Sequence, residues 1–313
     1  MNDFFSDIWQ GLNSSPKYLP SKYFYNTTGD AIFQEIMHCP EYYLTNCELE
    51  IFSEQSNMLA ETIRSYFPHF DVVELGAGDG TKSVHLLEAL LKQQNNFTYY
   101  PIDISENIIN QLYKTLPGIL PGIKVQGLNG DYFDMLEAVK DISHRNKVVL
   151  FLGSSIGNIP MEGTNDFFKS LKASLLPGDL LLTGFDLKKD AHIILPAYND
   201  KAGITRRFNL NLLQRINDEL DADFDLHAFE HTPQYNEETG ACKSYLMSTK
   251  EQRVRIGEAG WIHFNTGEGV YMEISQKYTL AQIDHFAHGA GFTPVGNYYD
   301  SKKWFLDALW QCD

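Results

Sequence analysis

A chain of 313 residues with 43% hydrophobic and 21% charged side chains is long enough for one large domain or two modest ones, with a sizeable core either way. Its net charge of −16 argues against DNA or RNA as a substrate, because an acidic surface repels polyanions. Cys39, Cys47, Cys242 and Cys312 form no CxxC pair and have no histidine at zinc-ligand spacing, a pattern that predicts reduced thiols in a cytoplasmic protein and no bound metal.

The first ten residues, MNDFFSDIWQ, lack the basic start and apolar centre of a secretion signal. No apolar run approaches the roughly 20 residues of a membrane helix, so no membrane partner is expected. Residues 1–20 read as irregular, with Pro16 and Pro20 bracketing PKYLP. Helices are expected over 30–39 and 47–67; in the second, Ile51, Leu59 and Ile63 share a face and Pro68 ends it. A short apolar strand, 70–75, enters the glycine loop of VVELGAGDGTKS (72–83), and a helix follows over 82–93. A second strand, 97–102, ends at Asp103, with a helix over 106–116 behind it. A third strand over 125–128 ends near Asn129-Gly130-Asp131. KVVLFL (147–152) is nearly continuous in its apolar character, as in a parallel strand buried on both faces. A helix over 162–175 and the turn Pro177-Gly178 lead to a fifth strand, 179–185.

This alternation predicts an α/β fold: a doubly wound, mainly parallel, Rossmann-like sheet. Such sheets bind ligands beyond the carboxyl ends of their strands. The glycine loop, Asp103, Asp131 and GSSIGN (153–158) all fall at those ends. After residue 187 the rhythm changes. Helices dominate 189–222, extended segments cover 224–235, 242–249, 252–257 and 269–275, and a helix near 279–290 precedes a last strand in 303–310. No Pro/Gly/Ser-rich linker intervenes, which points to an appended α+β lobe. The expected organisation is an N-terminal helical segment (1–60) contributing to that lobe, the nucleotide-type domain (61–190), the substrate lobe (191–285) and a C-terminal return to the main sheet (286–313).

Three ligands compete for the glycine loop. A triphosphate loop needs GxxxxGK[ST], and here Thr81 separates Gly80 from Lys82. A dinucleotide fingerprint fits Gly76 and Gly78, but Thr81 stands where its third glycine belongs. S-adenosylmethionine needs no pyrophosphate cradle, and Glu74, Gly76, Gly78 and Gly80 match the ExGxGxG spacing of methyltransferases of this fold. Asp103 suits the ribose diol of either nucleotide, so it does not discriminate. Asp131 with Tyr132 suits an adenine amine and ring.

Several stretches together resemble one family, the S-adenosyl-L-methionine (SAM)-dependent Nα-methyltransferases that convert histidine to trimethylhistidine (hercynine) in ergothioneine synthesis. They are PKYLPSKYFYNTTGDAIFQEI (16–36), CPEYYLTNCELEI (39–51), ELGAGDGTKS, FLGSSIGN (151–158), AYNDKAGITRRFNLNLLQRINDEL (197–220), DADFDLHAFEH (221–231) and MEISQKY (272–278), in the family's order over nearly the whole chain. The resemblance implies a SAM site formed by Tyr42, Gly76, Lys82, Asp103, Asp131 and Tyr132, with S-adenosyl-L-homocysteine as product. Lys82 would meet the methionine carboxylate and Tyr42 would cover the site. It implies an amino-acid site formed by Tyr25, Asn158, Tyr198, Glu273 and Ser275. Asn158 and Tyr198 would hold the substrate's amino and carboxylate groups, Glu273 and Ser275 its imidazole. Asn158 would orient the nitrogen in catalysis, and Tyr25 would relay a proton. Two residues apart on a strand, Glu273 and Ser275 are expected on one face, in a lysine-free pocket suited to a basic side chain.

Two positions depart from the family's pattern. Ser244 aligns where many members carry a methionine beside the imidazole, with Met247 three positions out of register, and Tyr132 replaces a frequent phenylalanine. The Ser244 departure keeps open the same chemistry on another free amino acid, such as tryptophan or a histidine derivative. A lesser alternative is an NAD-dependent oxidoreductase, disfavoured by Thr81. The expected partner is a small amino acid, acted on by a monomer.

Overall fold

The computed structural model describes residues 3–93 and 96–313. They form two compact units: the residues up to Tyr43 with Lys189–Ser275, and Leu44–Lys188 with Gln276–Asp313. The sequence placed these divisions at 60/61, 190/191 and 285/286. The first lies earlier because the helix Tyr43–Tyr66 is bonded into the second unit: its Glu48 pairs with Lys82 and its Gln55 Nε2 donates to the Tyr299 carbonyl at 2.8 Å. The last lies earlier because the chain docks on Asp186 as soon as it passes Ser275, with Tyr278 N donating to the Asp186 carbonyl at 3.0 Å.

The second unit is built on an eight-stranded sheet. Its order runs Phe292–Tyr299, Phe305–Cys312, Leu180–Asp186, Asn146–Phe151, Phe70–Leu75, Thr98–Asp103 and Lys124–Val125, with Leu128–Asn129 also paired to Thr98–Asp103. The strands from Leu180–Asp186 to Lys124–Val125 are parallel, and Phe305–Cys312 is antiparallel to both of its neighbours. Every residue of Phe70–Leu75 and Leu180–Asp186 is buried, so neither strand alternates. Phe70–Leu75 is the strand from which the order proceeds in both directions, and a crevice opens at the carboxyl end of such a switch point. The predicted third strand is reduced to two short pairings. Phe292–Tyr299 was not foreseen, because Pro294 and the register shift before Gly296 interrupt the strand pattern; an edge position tolerates both.

In the first unit, Lys17–Tyr18, Gly269–Gln276, Ala241–Ser248 and Phe229–Asn236 form a four-stranded sheet in that order. Gln252–Ile256 and Gly260–Phe264 pair as a separate hairpin. Asp3–Asn13 is a helix rather than irregular chain, since Phe4, Ile8 and Leu12, spaced by four, bury one stripe. Thr27–Met37 is capped by Asn26, whose side chain accepts from Gly29 N. Phe24, Phe208, Leu212, Phe229, Leu246, Val270 and Met272 share this unit's core.

Candidate active site

The Phe70–Leu75 strand delivers the glycine loop. Gly76, Gly78 and Gly80 have φ of 70°, 53° and 71°, a left-handed region that side chains disfavour. The loop folds back on the neighbouring strand end: Gly76 N and Ala77 N donate to the Ile102 carbonyl, and Gly78 N donates to Asp103 Oδ2 at 3.1 Å. Asp103 Oδ1 accepts from Ser105 N at 2.9 Å, so the carboxylate is fixed by two backbone donors. At Gly76 a Cβ would lie 2.8 Å from the Tyr132 hydroxyl, whereas nothing lies within 4 Å of that position at Gly78. The loop is therefore closed against Tyr132 at one glycine and open at the next. Asp131 caps the helix Tyr132–Ile142 by accepting from Phe133 N at 3.0 Å, which sets Tyr132 at the first helical position. The Tyr132 ring lies 5.7 Å from that of Phe151, edge to face, and burial holds its phenol protonated.

Lys82 is paired with Glu48, a carboxylate with no solvent exposure. Glu48 also accepts from Gly153 N at 2.8 and 3.0 Å, so one acid ties the glycine loop to GSSIGN. Burial and the Glu48 charge push the Asp307 carboxyl well above the usual carboxylate range. Glu74, the acid of the ExGxGxG match, is buried, and Tyr99 Oη donates to it at 2.5 Å; desolvation raises its pKa from 4.5 to about 7. Sequence reasoning missed Glu48 and Asp307. Glu48 lay within a matching stretch, but its partners are 34 and 105 positions away in the chain.

Asn158 ends the short turn Ser155–Asn158, and its side chain is exposed. In the first unit the Tyr198 and Ser275 hydroxyls lie 2.7 Å apart and buried, and Tyr198 packs edge-on to Tyr42 at 6.2 Å. Tyr25 packs edge-on to Phe33 and Phe208, each at 5.9 Å. Tyr42, Tyr198 and Ser275 are thus one contact chain, whereas Tyr25 belongs to a neighbouring aromatic group. Burial in Gly269–Gln276 alternates, with Val270, Met272 and Ile274 inside and Glu273 half-buried on the other face with Tyr271. In Ala241–Ser248 it also alternates, turning Ser244 inward with Leu246.

Two expectations change as a result. Ser244 points to the face opposite Glu273. On the neighbouring strand it is Lys243 and Tyr245 that share Glu273's face, and their contacts with the Tyr271 ring (5.9 Å from the ammonium, 5.8 Å ring to ring) fix that orientation. The strand face carrying Glu273 is therefore not lysine-free. His231, 7% exposed, has neither ring nitrogen hydrogen-bonded, and desolvation lowers its pKa from 6.5 to about 4.

A profile described as histidine-specific methyltransferase, SAM-dependent, matches residues 4–312. The chain is 35% identical over 302 residues to a histidine N-alpha-methyltransferase of Mycobacterium tuberculosis, covering 96% of this chain and 90% of that protein. It is 35% identical over 273 residues to a histidine N-alpha-methyltransferase of Mycolicibacterium smegmatis, covering 87% and 83%. It is 29% identical over 322 residues to an L-tryptophan methyltransferase of Psilocybe serbica, covering 94% and 89%.

Proposed function

The chain belongs to the SAM-dependent, histidine-specific methyltransferase family, and from that premise we propose that it methylates the α-amino nitrogen of L-histidine three times to give trimethylhistidine (hercynine). The observation that carries the substrate assignment is the strand Gly269–Gln276. It sets Glu273 half-buried, two positions before a serine whose hydroxyl meets Tyr198. A carboxylate accepting an imidazole N–H gains a charge-assisted bond of roughly 1.5–3 kcal/mol. Serine serves as donor or acceptor for the second ring nitrogen, so the pair matches a neutral imidazole.

The residues at the sheet's carboxyl ends fit the cofactor. The open position at Gly78 admits close approach, and Asp103, fixed by bonds from Gly78 N and Ser105 N, presents a carboxylate of the kind that accepts from a ribose diol. Asp131 would take the adenine amine, with Tyr132 against the base and Tyr42 as the cover. An ammonium carries three donors, so Lys82 can hold both Glu48 and the methionine carboxylate. When bound, SAM supplies a methyl group activated by its sulfonium.

The chain's own work is positional. Only a neutral amine attacks carbon, so the nitrogen must shed a proton before each transfer. Asn158 accepts an N–H from that nitrogen in the first two transfers and so aims its lone pair; the tertiary amine of the third has no N–H left to give, and Tyr198 holds the carboxylate throughout. Tyr25 passes the released proton toward solvent through water. Correct geometry of the reacting atoms alone contributes roughly 7–11 kcal/mol. The acid-rich chain acts as a monomer, and its four buried thiols support a cytoplasmic setting.

The test is a competition among free amino acids for a labelled methyl donor. Histidine is expected to take the label at least ten times faster than tryptophan, about 1.4 kcal/mol of discrimination. Preference for tryptophan or for a histidine derivative would assign the chain to the same chemistry on another free amino acid, the alternative that its 29% identity to an L-tryptophan methyltransferase keeps open.

A further inference from the structure

The turn that presents Asn158 is held from below by three consecutive residues, Gln276, Lys277 and Tyr278. Tyr278 is fully buried, and its hydroxyl donates to the Ile156 carbonyl at 3.0 Å, inside the Ser155–Asn158 turn. A Cβ on Gly157 would lie 3.0 Å from the Gln276 carbonyl oxygen, so the turn rests directly on that backbone. Lys277 and Asp186 form an ion pair at 2.7 Å with both side chains wholly buried. Asp186 N donates to Ser154 Oγ at 3.3 Å, and Ser154 is left-handed with φ of 57°. Tyr278 N donates to the Asp186 carbonyl, and Lys188 N to the Tyr278 carbonyl, which locks the segment to the end of the Leu180–Asp186 strand.

A buried ion pair adds little net stability over apolar residues of the same size, which leaves fixing one geometry as its best-attested use. The geometry fixed here is that of the turn ending in Asn158. The same continuous strand carries Glu273 and Ser275 just before the clamp begins. We infer that Gln276–Tyr278 is a clamp that sets the position of Asn158, making Tyr278 and Lys277 positioning residues for methyl transfer. This rests on the amine-orienting role of Asn158 proposed above. Successive transfers need this precision, because the nitrogen grows by one methyl at each step while its target stays fixed.

Tyr278→Phe removes the hydroxyl and keeps the ring, which packs edge-on to Phe185 at 5.3 Å and Phe286 at 6.1 Å. Its expected signature is a kcat for histidine reduced about ten-fold or more, since small misplacement of reacting atoms costs up to about 10²-fold. Histidine KM and SAM affinity by calorimetry should stay within about two-fold, a change worth less than about 0.5 kcal/mol. Mono- and dimethylated histidine should accumulate at matched turnover, a shift that general destabilisation would not produce. Unchanged kcat and an unchanged product ratio would overturn the clamp. If Tyr278→Phe does not accumulate as folded protein, Gly157→Ala, which pushes the turn off Gln276, carries the same expectations and the same refutation. Asn158→Ala, measured in parallel, separates the two claims. Normal methylation in that variant defeats the role of Asn158 itself, whereas an impaired Asn158→Ala beside a normal Tyr278→Phe defeats the clamp alone.

Discussion

Glu273 and Asp103 lie at opposite ends of the proposed reaction, and truncating each should separate its two affinities. Removing a charge-assisted bond worth roughly 1.5–3 kcal/mol raises KM by about 10- to 100-fold. Glu273→Ala is therefore expected to raise histidine KM by that factor while SAM binding, followed by calorimetry, stays near wild type. Asp103→Ala is expected to do the reverse, and also to loosen the glycine loop, because Gly78 N loses its acceptor. Equal loss of both affinities in either variant would contradict the assignment. At the residue scale, local spacing made legible the turn built on three glycines and the acid at the next strand's end that binds it, whereas Glu273 and Ser275 were singled out only by the family resemblance. Glu48 and Asp307 were not legible, because what makes them notable is burial beside Lys82, a contact between distant segments. Ser244 was legible as a departure but not as an orientation, since the face it occupies depends on strand register.

Among the elements, the strands buried on both faces were the easiest to read and carry the clearest stability prediction. Phe70–Leu75 hides all six of its side chains, and Glu74 is dragged inside with them. Desolvation raises its pKa from 4.5 to about 7, so the folded state binds a proton that the unfolded chain releases across that window. The associated stability is fully present below pH 4.5 and is lost as pH rises to about 7. Over that window the loss reaches about 3 kcal/mol. Glu74→Gln keeps an acceptor for Tyr99 and should lack this decline, which denaturant titrations of both proteins at several pH values would reveal. Identical slopes would show that Glu74 does not titrate there. Elements that sequence missed share a physical reason. Phe292–Tyr299 contains a proline and a bulge, and the third strand expected over 125–128 was too short to reveal that it is split into Lys124–Val125 and Leu128–Asn129. The helix Asp3–Asn13 was masked by Pro16 and Pro20 just beyond it, although its apolar stripe at intervals of four was present.

At the scale of the whole chain, the parallel pairing of the strands followed from the β/α rhythm, and the division into units did not. The helix Tyr43–Tyr66 reads in sequence as part of an N-terminal segment, yet buried Glu48 commits it to the sheet. The chain also leaves the sheet after Lys188 and rejoins it at Gln276, so each unit is assembled from two distant segments. The glycine loop and Asn158 lie within Leu44–Lys188, and Tyr198, Glu273 and Ser275 lie within Lys189–Ser275. The central claim is that this chain places methyl groups on the α-nitrogen of histidine. The most direct measurement is NMR of the product formed from histidine and SAM labelled with carbon-13 in its methyl. The account predicts three equivalent methyls on one quaternary nitrogen, correlated with the α-carbon. A methyl correlated with the imidazole ring, or no transfer to histidine at all, would contradict it.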